Sequence, residues 1–382
     1  MAVPSSAEVV IVGGGVIGTS IAFHLAEAGV RDVILVERGQ LGSGSTCKAA
    51  GGVRAQFSDA LNIQLGVRSL AAYHRFDTYP GQSIDLRTPG YLFLLSRPED
   101  VAAFETSVAL QNDLGVPSRM LEPAEAKRLS PLIDTDGLLA AAYSPEDGYC
   151  TPESVVLGYA TGARRSGATL LTGCQVLGID VDGGRIQAVR TTGSTIRTST
   201  VVCAAGAWSS SVGEMVGTPL PVTPYRRQLA FTEPVASDVP VPMTIDLASA
   251  FYFRREGRGL MLGMSDPDEP PGFRLERSDE WLGKLAEATT RRVPALLGTG
   301  ITGGWAGLYE VTPDHNALIG ESPDVGRFLY ATGFSGHGFM QGPAVGEIVR
   351  DLVLGTRPFV DVRPLDARRF DRAELRMEKN YV

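Results

Sequence analysis

Val12-Gly13-Gly14-Gly15-Val16-Ile17-Gly18 decides how the rest of this chain is read, because Gly13, Gly15 and Gly18 stand in the spacing G-x-G-x-x-G. Each glycine has a separate physical role. The first permits a tight turn, the second lets backbone approach a pyrophosphate, and the third lets a helix pack closely on a strand. The flanks fit that use. Glu8–Val12 is apolar and predicts a buried strand, and residues 16–28 predict a helix with Ile17, Ile21 and Leu25 on its apolar side. Gly29 closes the helix, and Asp32–Glu37 (DVILVE) predicts a second strand. The whole is a strand–helix–strand unit of about 30 residues, the size of a βαβ crossover.

The helix beginning near Val16 would aim its unsatisfied N–H groups and positive dipole end at phosphates. Glu37 ends the second strand, roughly 20 residues further on, where a carboxylate can accept from a ribose 2′-OH. Arg38, beside it, joins the candidate cofactor set. An acid at Glu37 disfavours a 2′-phosphate and therefore NADP; NAD and FAD both remain open on this motif alone.

Composition sets the outer limits. The chain has 382 residues, 43% hydrophobic and 20% charged, as expected of a globular protein with a full core. A net charge of −8 without a basic stripe argues against nucleic acid. No apolar stretch is long enough to span a membrane, and Met1–Ser6 lacks the pattern of a signal peptide. Four scattered cysteines (Cys47, Cys150, Cys174, Cys203), with no C-x-x-C pair, argue against a disulfide framework, a metal site or a disulfide reductase. A reducing cytoplasm is the expected compartment.

Further along, helices are predicted over residues 60–76, 99–114, 152–166, 278–292 and 343–354. Strands are predicted over Tyr91–Ser96 and Arg327–Thr332, in short β-branched runs from Thr169 to Ala205, and in a hairpin over Phe251–Met264. The fold class expected is mixed α/β. A Rossmann-like nucleotide domain (residues 1–87, 146–220 and 300–382) interleaves with a substrate domain on a large antiparallel sheet (residues 88–145 and 221–299).

The segment after Glu37 carries a family resemblance. Leu41-Gly42-Ser43-Gly44-Ser45-Thr46, then Lys48 and Ala50-Gly51-Gly52-Val53-Arg54, resembles the flavin loop of the D-amino-acid oxidase and sarcosine oxidase superfamily. Small residues suit a backbone lying within van der Waals reach of a cofactor. Three later stretches extend the match. Gly173-Cys174-Gln175-Val176 is similar to the strand whose Val176 would touch adenine. Ala204-Ala205-Gly206-Ala207-Trp208 resembles the turn beside the pyrophosphate. Gly333-Phe334-Ser335-Gly336-His337-Gly338-Phe339-Met340 resembles the loop covering the flavin ring. The arrangement looks most like the β subunits of heteromeric sarcosine oxidases and proline dehydrogenases.

The resemblance implies FAD and the oxidation of an amine CH–NH bond to an imine, by hydride transfer to flavin N5. The substrate would be an amino acid or secondary amine of the proline, N-methyl amino acid or glycine type. The acceptor would be oxygen, a quinone or a partner subunit, in a homo- or hetero-oligomer. It further implies Arg54 as an anchor for a substrate carboxylate, since a guanidinium matches that anion in a two-pronged way. Tyr309 and Tyr252 become candidates for the substrate pocket. The departures are as informative. Gly307 stands where a family cysteine attaches flavin, so the flavin is expected to be non-covalent. Met261 stands where a lysine speeds reaction with oxygen, and Met340 where a second lysine helps bind carboxylate. Two alternatives stay open: an NAD(P)H-using flavin hydroxylase, and a flavin-carrying subunit without catalysis.

Overall fold

In a computed structural model the described residues are 4–236, 240–371 and 375–381. The parts of the expected domain segments at residues 1–3, 237–239, 372–374 and 382 lie outside them.

The predicted crossover forms as β1 (Val9–Val12), α1 (Val16–Glu27) and β2 (Val33–Val36). Every residue of both strands is buried, as in a parallel sheet covered on both faces. β1 pairs in parallel with β2 on one side and with Val201–Cys203 on the other, Val12 standing opposite both Val36 and Cys203. These three strands therefore end at one edge, where Gly13, Glu37 and Ala204 follow. That edge, outside the carboxyl ends of parallel strands, is where open α/β sheets bind ligands. The complete sheet has six strands, with Phe328–Thr332 and Leu318–Glu321 beyond Val201–Cys203 and Thr169–Leu171 beyond β2.

Helix Gly338–Leu354 lies across α1. A Cβ on Gly342 would press on Val16, and one on Gly346 would collide with Ser20 and His24. Only glycine permits this approach. The helix begins at Gly338, five residues before the predicted start at Pro343, so the loop expected to cover a flavin is partly its first turn.

The second sheet has eight strands in the order Ile301–Val311, Thr223–Thr232, Gly259–Met264, Phe251–Glu256, Met243–Asp246, Tyr91–Leu95, Ala140–Ser144 and Arg119–Leu121. It is antiparallel apart from the parallel pairing of Met243–Asp246 with Tyr91–Leu95. Its two longest strands, Thr223–Thr232 and Ile301–Val311, were not among those predicted, and the second begins just past residue 300, within the segment expected for the nucleotide domain. Period-two alternation and register put Tyr91, Met243, Ile245, Tyr252, Leu229, Arg227, Gly307 and Tyr309 on one face. The other face packs on helix Asp279–Arg292 through Phe251, Phe253 and Trp281, whose indole N–H donates to Met264 O at 3.0 Å.

Candidate active site

One cleft runs between the glycine-rich edge of the six-stranded sheet and the Tyr252–Tyr309 face of the eight-stranded sheet. At the first end, Gly13 has φ +112°, and a Cβ there would strike the carbonyl of Ala204. Gly18 acts as the third glycine of the motif. A Cβ there would collide with Gly13 O, so it packs α1 onto the turn and does not itself line the cleft. Gly15, at the α1 N-cap, has no side chain to cap the helix. Thr46 Oγ1 accepts from Val16 N at 3.1 Å, and Ile17 lines the cleft next to it. Glu37 is held by two backbone donors, Gly14 N at 2.8 Å and Gly39 N at 2.7 Å. Its remaining lone pairs can accept from ribose hydroxyls. Arg38 lies 3.7 Å from the Trp208 ring, and Val176, Ala205 and Gly206 (φ +54°) complete this end with Cys174.

In the middle, the Thr46–Gly52 loop passes under the cleft. Ser43, Ser45, Lys48, Ala50, Gly51 and Gly52 all line it. Lys48 Nζ donates to Ser43 O at 3.0 Å, and a Cβ on Gly307 would press on the Lys48 stem, 2.9 Å from its Cβ. Cys47 does not line the cleft, its thiol lying against Gly42, and burial pushes it up to about 11. The cleft, with its bare helix N-terminus, glycine turn, oriented carboxylate and small-residue floor, fits FAD. Glu37, Thr46, the 43–52 loop and Ala204–Trp208 would hold the nucleotide.

At the far end Arg54 is 3% exposed. Its guanidinium donates to Gln56 O and to Asn380 O (2.6 Å), and lies 4.3 Å from the Phe57 ring. Nη2 is also 3.3 Å from His337 Nε2. Arginine can only donate, so Nε2 accepts there and the ring proton sits on Nδ1. Burial, then the Arg54 charge, holds His337 well below the ordinary histidine range, so the ring is neutral. Burial also lowers the pKa of Arg54. No carboxylate stands within ion-pair distance of Arg54 among the described residues. Tyr252, Tyr309, Gly336, Ser335, Gly338, Phe339 and Met340 line this end. Burial raises both tyrosines, so their hydroxyls keep their protons.

Three further candidates fall outside the lining. Gly333 and Phe334 are tucked behind it: a Cβ on Gly333 (φ +68°) would press on Thr312, and Phe334 is buried in the core. Met261 is on the cleft-facing side of its strand but beside Arg254, whose Nε donates to Ala50 O at 2.7 Å. The cleft also contains residues that were not foreseen. Tyr91, Arg227, Met243 and Ile245 come from the sheet face. Glu310 is a buried carboxyl pushed up to about 7 by burial, against the pull of hydrogen bonds from Thr332 and the Gly333 and Phe334 amides. Alternation within Thr223–Thr232 would have pointed to Arg227, had that strand been recognised. No helix among the described residues is long and apolar enough to cross a membrane, and no His/Cys/Asp/Glu cluster there could hold a metal.

A βαβ edge facing a sheet across a long cleft, with a buried cation at the far end, defines a nucleotide-binding oxidoreductase with a separate substrate end. The chain belongs to the FAD dependent oxidoreductase family (DAO), whose model matches residues 8–352, and FAD is its cofactor. It is 32% identical over 385 residues to mitochondrial dimethylglycine dehydrogenase of Rattus norvegicus, covering 95% of this chain and 45% of that protein. The chain thus spans less than half the length of that relative. Among solved structures, L-proline dehydrogenase from P. horikoshii is 35% identical with TM-score 0.92, covering 98% of this chain and 100% of that one. Glycine oxidase from Geobacillus kaustophilus is 27% identical with TM-score 0.85, covering 95% and 99%.

Proposed function

We propose that this chain oxidises the CH–NH bond of an amino acid or other carboxylate-bearing amine to an imine, with non-covalent FAD. Bound FAD supplies the two-electron acceptor. The observation that carries this reading is Arg54, a buried guanidinium at the substrate end hydrogen-bonded to two carbonyls and a neutral imidazole, with no carboxylate within ion-pair distance among the described residues. A buried cation without a contacting ion-pair partner is costly, and a substrate carboxylate would supply one. Tyr252 and Tyr309 would orient the amine, and the apolar walls of Met243, Ile245 and Met340 would exclude water. The names of the relatives support amino acids of the glycine, proline or N-methyl type.

Cys47 lying outside the cleft lining and glycine at position 307 support a flavin that is not attached. The names of the dehydrogenase relatives, together with this chain's own Met261 and Met340, support an acceptor other than oxygen, a quinone or a partner subunit. We also infer two interleaved domains built on the two sheets, a reducing compartment such as the cytoplasm, and assembly into a homo- or hetero-oligomer. The test has two parts. Acid precipitation of the yellow protein is expected to release intact FAD, and anaerobic mixing with an amine panel is expected to bleach the flavin band. Flavin retained on the polypeptide would overturn the non-covalent part, and a band unmoved by every amine would overturn the catalytic part.

A further inference from the structure

Arg227 is a second cation at the substrate end, and its surroundings are unfinished in the same way as those of Arg54. It projects from Thr223–Thr232 opposite Gly307, on the face that carries Tyr309, and it lines the cleft. Nη1 donates to Arg226 O at 3.0 Å and Nη2 to Tyr381 Oη at 3.3 Å, while the buried Nε–H has no acceptor. Its Cζ lies 5.2 Å from the Tyr309 ring and 5.8 Å from the Tyr225 ring. No carboxylate pairs with it among the described residues. All these partners belong to the sheet and the C-terminal segment, and none to the glycine-rich stretches that would hold the nucleotide.

The two guanidiniums are tied together by neighbouring residues of that segment: Asn380 O accepts from Arg54 and Tyr381 Oη from Arg227. His337 Nε2 is 3.3 Å from Arg54 Nη2, and the Tyr381 ring lies 6.2 Å from the His337 ring. The two guanidiniums share no hydrogen-bond partner among the described residues, so each is a separate candidate to receive an anion.

We propose that Arg227 and Tyr381 form a second anion subsite, and that the preferred substrate is an amine bearing two carboxylates, one on Arg54 and one on Arg227. This rests on the amine-oxidising reading above, and it names the substrate class. A charge-assisted N–H donor without an acceptor is the feature such a subsite would satisfy.

The test uses binding to the FAD-loaded protein of two thioethers that lack the reactive nitrogen: thiodiacetate, with two carboxylates, and methylthioacetate, with one. Affinities are read by calorimetry and by the shift of the flavin band. Wild type is expected to hold thiodiacetate at least about tenfold more tightly, a preference worth about 1.4 kcal/mol. Arg227→Met is expected to bring the two to parity with methylthioacetate unchanged, and Arg227→Lys to keep part of the preference. No preference in wild type, or a preference that survives Arg227→Met, overturns the subsite. Neither ligand is oxidised, so failure here is separate from failure of the amine panel.

Discussion

At Arg54 a positive charge is held against Phe57 and Phe93, and its hydrogen-bond partners among the described residues are carbonyl oxygens and a neutral histidine. If its function is to receive a carboxylate, Arg54→Met should weaken carboxylate-bearing amines by about 2–5 kcal/mol, the range for truncating one partner of a buried charge pair. FAD content should stay unchanged. Substrate titrations of wild type and variant measure this, and an unchanged affinity removes Arg54 from the site. A second residue nearby makes a pH prediction. Asp147 accepts from Ala55 N at 3.0 Å, and burial pushes its carboxyl from 3.8 up to about 7. Because the folded state holds the proton more tightly, its contribution to stability is full below 3.8 and is lost as pH rises through 3.8 to about 7. The slope is about 1.4 kcal/mol per pH unit. The stability of Asp147→Asn should therefore gain on that of wild type between about pH 5 and 7; a constant difference would show that Asp147 does not titrate there. Neither Asp147, Glu310 nor Arg227 was legible in the sequence. A charged residue signals its function through what surrounds it, and those surroundings come from strands far away in the chain. Glu37 was legible because its partners Gly14 and Gly39 lie in the same local motif.

At the level of elements, the βαβ unit could be read almost to the residue because its signals are local: two fully apolar strands, a helix period and glycines with fixed roles. Thr223–Thr232 was hidden for a physical reason. Its cleft-facing positions include Tyr225 and Arg227, so a polar cavity wall erased the apolar alternation that marks a strand, and Pro224 argued against one. Proline favours the first turn of a helix, which points to a start at Pro343, whereas the helix starts at Gly338 and Pro343 lies inside it. Proline has no N–H to give the carbonyl four residues back, that of Phe339. Tyr73 Oη donates to Phe339 O instead. Tyr73→Phe should thus leave a buried carbonyl without a partner and cost about 1–3 kcal/mol. Urea unfolding at constant pH would measure it, and a loss well under about 1 kcal/mol would mean that the carbonyl finds another donor.

On the scale of the whole molecule, the two sheets confront each other across one cleft, and the segment 375–381 returns against its Arg54 end. Glu378 accepts from Ser58 and Asn62, Asn380 O from Arg54, and Tyr381 stacks on His315 at 3.9 Å. This return was not legible in the sequence, because residues 375–381 carry no periodicity and act through distant partners. One claim underlies everything above: the FAD end and the Arg54 end of this cleft work together on a carboxylate-bearing amine. The most direct measurement is the anaerobic bleaching rate of the flavin band by an amino acid and by its decarboxylated counterpart, proline and pyrrolidine being one such pair. Within each reactive pair the amino acid is expected to bleach the band at least about a hundredfold faster at equal low concentration, the lost carboxylate costing at least about 2.7 kcal/mol. Equal rates for the two members of every reactive pair would contradict the claim.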